Sequence, residues 1–399
     1  MIQENISTPL TKQYDVIVCG GGIAGIAAAL AAGRQDKKVA LVEREYMLGG
    51  LGTAGLVTVY LPLCDGYGHQ VSFGIAEELF RNSIMYGAEA RYPKNWLDNE
   101  GTRTENDPRF LVRYNAHLFA ITAEKLLLEN GVDIHYGTAI VAAHMNQDKI
   151  DCIIVENKSG RMAYQAKSFV DATGDADIAK FSGAPTDTFQ QGNVLAAWYY
   201  YDNGEGYEQQ QLGACDFSDE EKKKYGYRVN YLTQTRFTGL DADEISSFMQ
   251  LSHNSTLQDF LKKRENNQAK WPATIATIPQ FRMTRKLVGE YVLSYEEDHA
   301  EFEDSIGMIA NWRERGPIYE VPFRTLYCKE VKNLIMAGRC TSVNEQLWDL
   351  MRVIPCCAVT GQAAGTAAAM SDDFTSLNVA ALQAKLQKNG VVLHIKDIF

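Results

Sequence analysis

The chain opens its first regular element at residues 14–19, "YDVIVC", a short apolar run of the kind that forms a buried strand. It leads directly into "CGGGIAGIAAALAAG" (19–33), where small and apolar residues follow one another without polar relief. Three structures could use such a segment: a membrane span, an inert core helix, or a helix that begins at a phosphate. A spanning helix wants roughly 20 apolar residues, and "RQDKK" closes this run early. Three opening glycines are also poor choices for a lipid-facing helix. The pattern predicts a small-residue helix to about Ala32, a charged turn, and a second strand, "KVALVE", from Lys38 to Glu43. Strand, glycine turn, helix and parallel strand make a βαβ unit.

Beyond "MLGGLGTAG" the pattern becomes irregular through about residue 110, with one helical piece, "GIAEELFRNSIM". A helix resumes at "NAHLFAITAEKLLLENG", and strands follow at "VDIHYGT", "IDCIIVE" and "RMAYQAKSFVDAT", the last two joined by a turn at "NKSG". Residues 186–315 are polar and rich in tyrosine, glutamine and acids, with helical pieces such as "LQDFLKKRENN". Apolar character returns from Tyr319, with a strand at "NLIMAG" and a small-residue helix at "CCAVTGQAAGTAAAM". The expected class is α/β. A discontinuous Rossmann-like domain (1–60, 111–185 and 319–399) carries an inserted α+β cap made of 186–318 with parts of 61–110.

In "CGGGIAG", Gly20, Gly22 and Gly25 fit G-x-G-x-x-G. The first permits the tight turn, the second lets a pyrophosphate approach the backbone, and the third lets the helix pack closely on the sheet. A helix N-terminus adds free N–H groups and partial positive charge. Glu43 lies 23 residues after Gly20, where a ribose hydroxyl ligand is expected. A dinucleotide is therefore the ligand that the opening run predicts, although NAD and FAD share this turn.

Charge and cysteines narrow the partners. The chain has 399 residues, 39 basic and 50 acidic, for a net charge of −11. That disfavours nucleic acid or an anionic membrane as the main partner. The first residues, "MIQENISTPLTKQ", show neither a basic nor an apolar leader region, so no secretory signal is expected. Eight cysteines are scattered without CxxC or Cys/His spacing. They read as reduced cytosolic thiols and not as a metal centre or a disulfide framework, and the expected location is cytoplasmic.

Four blocks now occur in order: "CGGGIAG", "LGGLGTAG" (48–55), "DATGDADIA" (171–179) and "AGRC" with "GQAAGTAAAM". In these the chain resembles a bacterial FAD-dependent oxidoreductase family of the glutathione-reductase-like flavoprotein superfamily. The resemblance implies FAD. Gly20, Gly22, Ile23, Gly25, Glu43 and Arg44 would hold its ADP half; Gly49, Gly50 and Thr53 would run beside the pyrophosphate and ribityl chain. Thr173 and Gly174 would end the strand that returns to the cofactor, and Gly338 and Arg339 would contact the ribityl-pyrophosphate region. The backbone at Cys356, Cys357 and Ala358 would face the flavin N1/O2 edge. A tightly packed core helix explains "GQAAGTAAA" equally well, and the two readings are compatible.

With FAD bound, the protein supplies orientation and acid/base groups. Neither a CxxC redox pair nor a second βαβ unit opened by G-x-G-x-x-G is read in the sequence, which disfavours a disulfide reductase and a dedicated NAD(P)H domain. A dehydrogenase, oxidase or reductase of a small molecule survives, transferring hydride to or from an anionic or polyhydroxylated metabolite. The alternatives are a non-catalytic electron-transfer flavoprotein subunit and a flavin-dependent tRNA-modifying protein. His69, in "TVYLPLCDGYGHQVSFG", is a candidate proton carrier, or a loop histidine with a structural bond. Arg282 and Arg285 in "FRMTRKLVGEY" resemble the family's R-x-x-R helix and are expected on one helical face of the cap, where they would fix a carboxylate. Arg352 immediately precedes the expected flavin helix and is the best-placed anchor. Each arginine also has a plain reading as a structural ion pair. Substrate identity, electron acceptor and oligomeric state are not readable from the sequence.

Overall fold

The computed structural model describes residues 2, 5–87, 111–213, 231–268 and 270–399. Part of the irregular stretch expected through residue 110 (88–110) and part of the polar middle (214–230) lie outside the described residues.

The expected βαβ unit is present. Strand β1 (Leu10–Cys19) runs parallel to β2 (Val39–Val42), with Val18 opposite Leu41, and α1 (Ile23–Gly33) connects them. Outward from β2 lies Val132–His135, and on the other side of β1 lies Gly160–Asp171, both parallel. The end of that last strand takes Leu334–Met336 as a further parallel neighbour. Strands from the first and last parts of the chain thus meet in one sheet. The strand at Gly160–Asp171 also starts an antiparallel meander with Lys149–Asn157 and Ala139–Asn146. The last of these was not anticipated, because its residues are mostly half-buried and lack a clean alternation.

Helix α1 is buried through nearly its whole length against the helix Ile354–Met370. Small residues are required where they cross: a Cβ on Gly361 would lie 2.3 Å from the Ala24 carbonyl oxygen, and one on Gly365 2.0 Å from that of Ala28. No apolar side chain fits such a gap, so the glycine and alanine spacing reads as close packing.

The polar middle builds a separate three-stranded antiparallel sheet from Ala196–Asp202, Tyr207–Gly213 and Trp271–Ile275. Against it packs one long helix, Ala242–Asn266, capped by the Asp241 side chain. Period-2 geometry splits the "AAWYYYD" run. Tyr199 and Tyr201 pack with Phe260 inside the cap, whereas the Tyr200 hydroxyl meets Thr58 Oγ1 across the boundary.

Two expectations are corrected. The boundary drawn at residue 318 falls inside a hairpin, Ser305–Ala310 with Ile318–Pro322, whose Ile306 and Ile309 belong to the main core. The helix Ile75–Ile84 joins that core too, its Ile75 amide donating to Gln362 Oε1 at 2.8 Å. The second correction concerns the R-x-x-R segment, which is not helical. Arg282 lies in a bend and Arg285 begins a strand, Arg285–Leu287, paired with Thr186–Thr188. The Asn193 amide explains this: it accepts from the Arg282 and Met283 amides (2.9 and 3.1 Å) and donates to the Met283 carbonyl (2.6 Å). Those backbone groups are then unavailable to a helix.

Candidate cofactor and substrate cavity

A cavity of about 510 Å³ lies at the carboxyl ends of the parallel strands, where ligands of open α/β sheets are bound. Gly20, Glu43, Thr173 and Gly338, each at or just past a strand end, line it together with Ile23, Arg44, Gly49, Gly50, Gly174 and Arg339.

At the glycine turn, Gly22 caps α1 with ordinary backbone angles, and a Cβ added there would meet nothing within 4 Å. The space beside it belongs to the cavity. The second glycine loop docks onto the first through the Gly49 amide, which donates to the Gly21 carbonyl at 2.8 Å. Glu43 is buried and accepts from the Gly21 amide (2.6 Å) and the Glu45 amide (2.8 Å). Burial raises its carboxyl above the usual range, partly offset by those amides.

The "DATGD" turn is organised by Asp171, fully buried, whose carboxylate accepts from the Thr173, Ile178 and Ala179 amides and the Thr173 hydroxyl. Beyond it Asp175 takes Arg339 Nη2 at 3.0 Å and the Thr284 hydroxyl at 2.6 Å, linking the terminal A-G-R block to the cap.

Helix caps differ around the fold. The helices beginning at Ala116, Ala242, Glu345 and Val379 each have a side chain accepting from the first turn. Helix α1 and the helix Ile354–Met370 have no side-chain cap, and both start at the cavity wall. Their first-turn amides therefore face the place where a phosphate or an anionic ring edge would sit. Open space at Gly22, a buried carboxylate at the end of β2 and two uncapped helix starts fit a flavin dinucleotide.

At the far end, Arg352 lines the cavity beside Val353, Ile354, Cys357 and Trp312. Arg352 Nε donates to Asp349 at 2.9 Å, and Arg313 pairs with the same carboxylate; Asp349 is buried, and the Arg313 and Arg352 side chains are 6% and 10% exposed. From the cap come Phe281, Arg282 and the register pair Trp198 and Gln211. The Arg282 guanidinium lies over the Trp198 ring at 5.0 Å. Burial pushes the Cys357 thiol up to about 11, so it is not a thiolate at neutral pH.

Several expected residues sit elsewhere. Gly25 is a packing glycine, since a Cβ there would lie 1.8 Å from the Gly20 carbonyl oxygen. Thr53 is fully buried, and its hydroxyl donates to the Leu48 carbonyl, shaping the glycine loop from behind. Cys356 and Ala358 turn into the core; the lining comes from Val353, Ile354 and Cys357, which share one helical side. Arg285 does not line the cavity and lies 3.7 Å from Asp177, so it does not converge with Arg352. His69 is also outside the lining, its ring 2.8 Å from the Asp65 carboxylate and edge-on to Phe399. Trp198, Gln211, Trp312 and Asp349 were missed. Only Trp198 had a visible signal, the alternation that puts it opposite Tyr199.

The chain matches the family described as FAD dependent oxidoreductase over residues 15–199 and 187–386. Ferredoxin–NADP reductase 2 of Sulfolobus acidocaldarius is 31% identical over 91 residues, which are 22% of this chain and 26% of that protein. The chain thus spans about a quarter of the curated relative's length. A p-nitrophenol 4-monooxygenase from Pseudomonas putida is similar with a TM-score of 0.46 and 13% identity, over 95% of this chain and 81% of that one. A 3-ketosteroid-Δ4-(5α)-dehydrogenase from Rhodococcus jostii has a TM-score of 0.42 and 15% identity, over 91% and 98%. Among the described residues, no single helix is long and apolar enough to cross a membrane.

Proposed function

The chain belongs to the FAD-dependent oxidoreductase family, and from that premise we propose that it transfers hydride between bound FAD and a small anionic metabolite held under the cap. FAD supplies two-electron hydride chemistry when bound. The turn at Gly20–Gly22, Glu43 and the second glycine loop would hold the ADP half. Gly338, Arg339 and the start of the helix Ile354–Met370 hold the flavin half. That uncapped helix start would offer amide donors to a flavin carrying negative charge.

Arg352 binds and orients the substrate's anionic group, and Asp349 fixes the guanidinium. Arg282 closes the cavity from the cap side, packed on Trp198. Enclosure strengthens these interactions by excluding water. The observation that carries the reading is Arg352, locked by a buried carboxylate at the cavity wall directly before an uncapped helix. It favours an anionic substrate over a merely polyhydroxylated one. Cap residues in the cavity wall also favour a substrate held there over electron relay to a partner chain, and the net charge of −11 counts against tRNA. Anaerobic bleaching of the flavin against a panel of metabolites tests the proposal. Reduction by one or more organic acids supports it, whereas reduction only by neutral compounds overturns it.

A further inference from the structure

The cavity that Arg352 lines has several rings in its wall, beside aliphatic residues such as Val57, Val59 and Leu61. Trp198 and Phe281 come from the cap, Trp312 from the turn of the hairpin Ser305–Pro322, and Pro279 from the segment leading into Phe281. Both indoles carry a guanidinium over the ring: Arg282 lies 5.0 Å from the Trp198 centroid and Arg313 5.5 Å from that of Trp312. A cation over an aromatic face is held by the ring's negative quadrupole. It also withdraws that negative charge, so the indole accepts an electron-rich π-system more readily than a bare ring does. Polyhydroxylated ligands need many donors and acceptors around their perimeter. Walls of this kind instead reward a flat apolar body that carries one charged group.

Building on the anionic-substrate reading above, we propose that the substrate is a planar aromatic or conjugated carboxylic acid. Its carboxylate is met by Arg352 and its ring stacks against the arginine-backed indoles. Arg352, Trp198 and Trp312 bind and orient the substrate, and Asp349 is a positioning residue.

The test uses the FAD-loaded protein and follows perturbation of the flavin absorbance bands, which requires no turnover. The probes are cinnamate, benzoate, cyclohexanecarboxylate, gluconate and the neutral amide cinnamamide. Cinnamate or benzoate is expected to bind at least about tenfold more tightly than cyclohexanecarboxylate, gluconate and the amide. Trp198→Leu should erase the preference for aromatic over saturated acid while retaining the preference for acid over amide. Trp312→Leu is the second variant, should the first lose its fold, and carries the same expectation. If cyclohexanecarboxylate or gluconate binds as tightly as the aromatic acids, the aromatic class is wrong and the anionic-substrate reading stands. If the amide binds as well as the acid, both fail. Absence of saturable binding by either aromatic acid up to about 10 mM also overturns the inference.

Discussion

Arg352 Nε donates to Asp349 Oδ1 at 2.9 Å, three residues back along the chain and across the break between two helices. Asp349 is 3% exposed and also pairs with Arg313, so one buried carboxylate serves two largely shielded guanidinium groups. Removing one member of a buried ion cluster leaves the others desolvated without their counter-charge. Asp349→Ala should therefore destabilise the protein by about 3–5 kcal/mol, read as a shift in urea unfolding. A loss below about 1 kcal/mol would show that water compensates the arginines and that the cluster is open.

Two glycines of the same motif should fail in different ways. Gly22→Val adds a side chain into open cavity space at ordinary backbone angles, so the apoprotein should fold with near-normal stability yet retain no FAD. Gly25→Ala drives a methyl against the Gly20 carbonyl and should destabilise the apoprotein itself. Flavin content per chain and apoprotein melting temperature separate the two outcomes. Flavin retained by Gly22→Val would contradict the assignment of the pyrophosphate site.

Asp177, at the cavity wall, has its carboxyl raised from 3.8 to about 6, first by burial and then by Asp175 and Asp171, against the pull of Arg285. Its folded value lies above its unfolded one, so folding takes up a proton between these values. This group's stabilising contribution is therefore present below about pH 4 and lost as pH rises through 6. Asp177→Asn should remove that slope, and its stability relative to the parent apoprotein should rise between about pH 4.5 and pH 7. Denaturant titrations at the two pH values decide the matter; a relative stability that falls over that interval contradicts the stated environment.

The dinucleotide half of the site was legible because its signals are local. Gly20, Gly22 and Glu43 sit at fixed offsets on consecutive elements, and short-range geometry decides what those offsets mean. In the proposed substrate half only Arg352 and Arg282 were legible. Trp198, Trp312 and Phe281 reach the cavity from a separate sheet, a hairpin and a bend, and no sequence interval relates them. The R-x-x-R segment misled for a related reason. Its spacing fits a helix, but Asn193, about 90 residues earlier, binds its backbone and holds it out of a helix. Asp349 reads in sequence as one acid in a short amphipathic stretch, and only the packing of Glu345–Met351 buries it between two arginines.

Placing Arg285 beside Asp177 and outside the cavity lining separates two arginines that spacing had grouped. Arg285→Met should change the rate of substrate-driven flavin reduction by less than about tenfold. Stopped-flow reduction rates test this, and a larger loss would mean that Arg285 reaches the substrate after all.

The proposed control of the substrate end of the cavity is arginine charge and not thiol chemistry. It is tested by anaerobic reduction of the bound flavin with the most effective acid of the panel. Arg352→Met should slow reduction at least ~30-fold, roughly 2 kcal/mol, with FAD content near normal. Cys356→Ala and Cys357→Ala should each change it by less than about tenfold, since both thiols are raised by burial and remain neutral. Reduction lost in the cysteine variants and preserved in Arg352→Met would contradict the account.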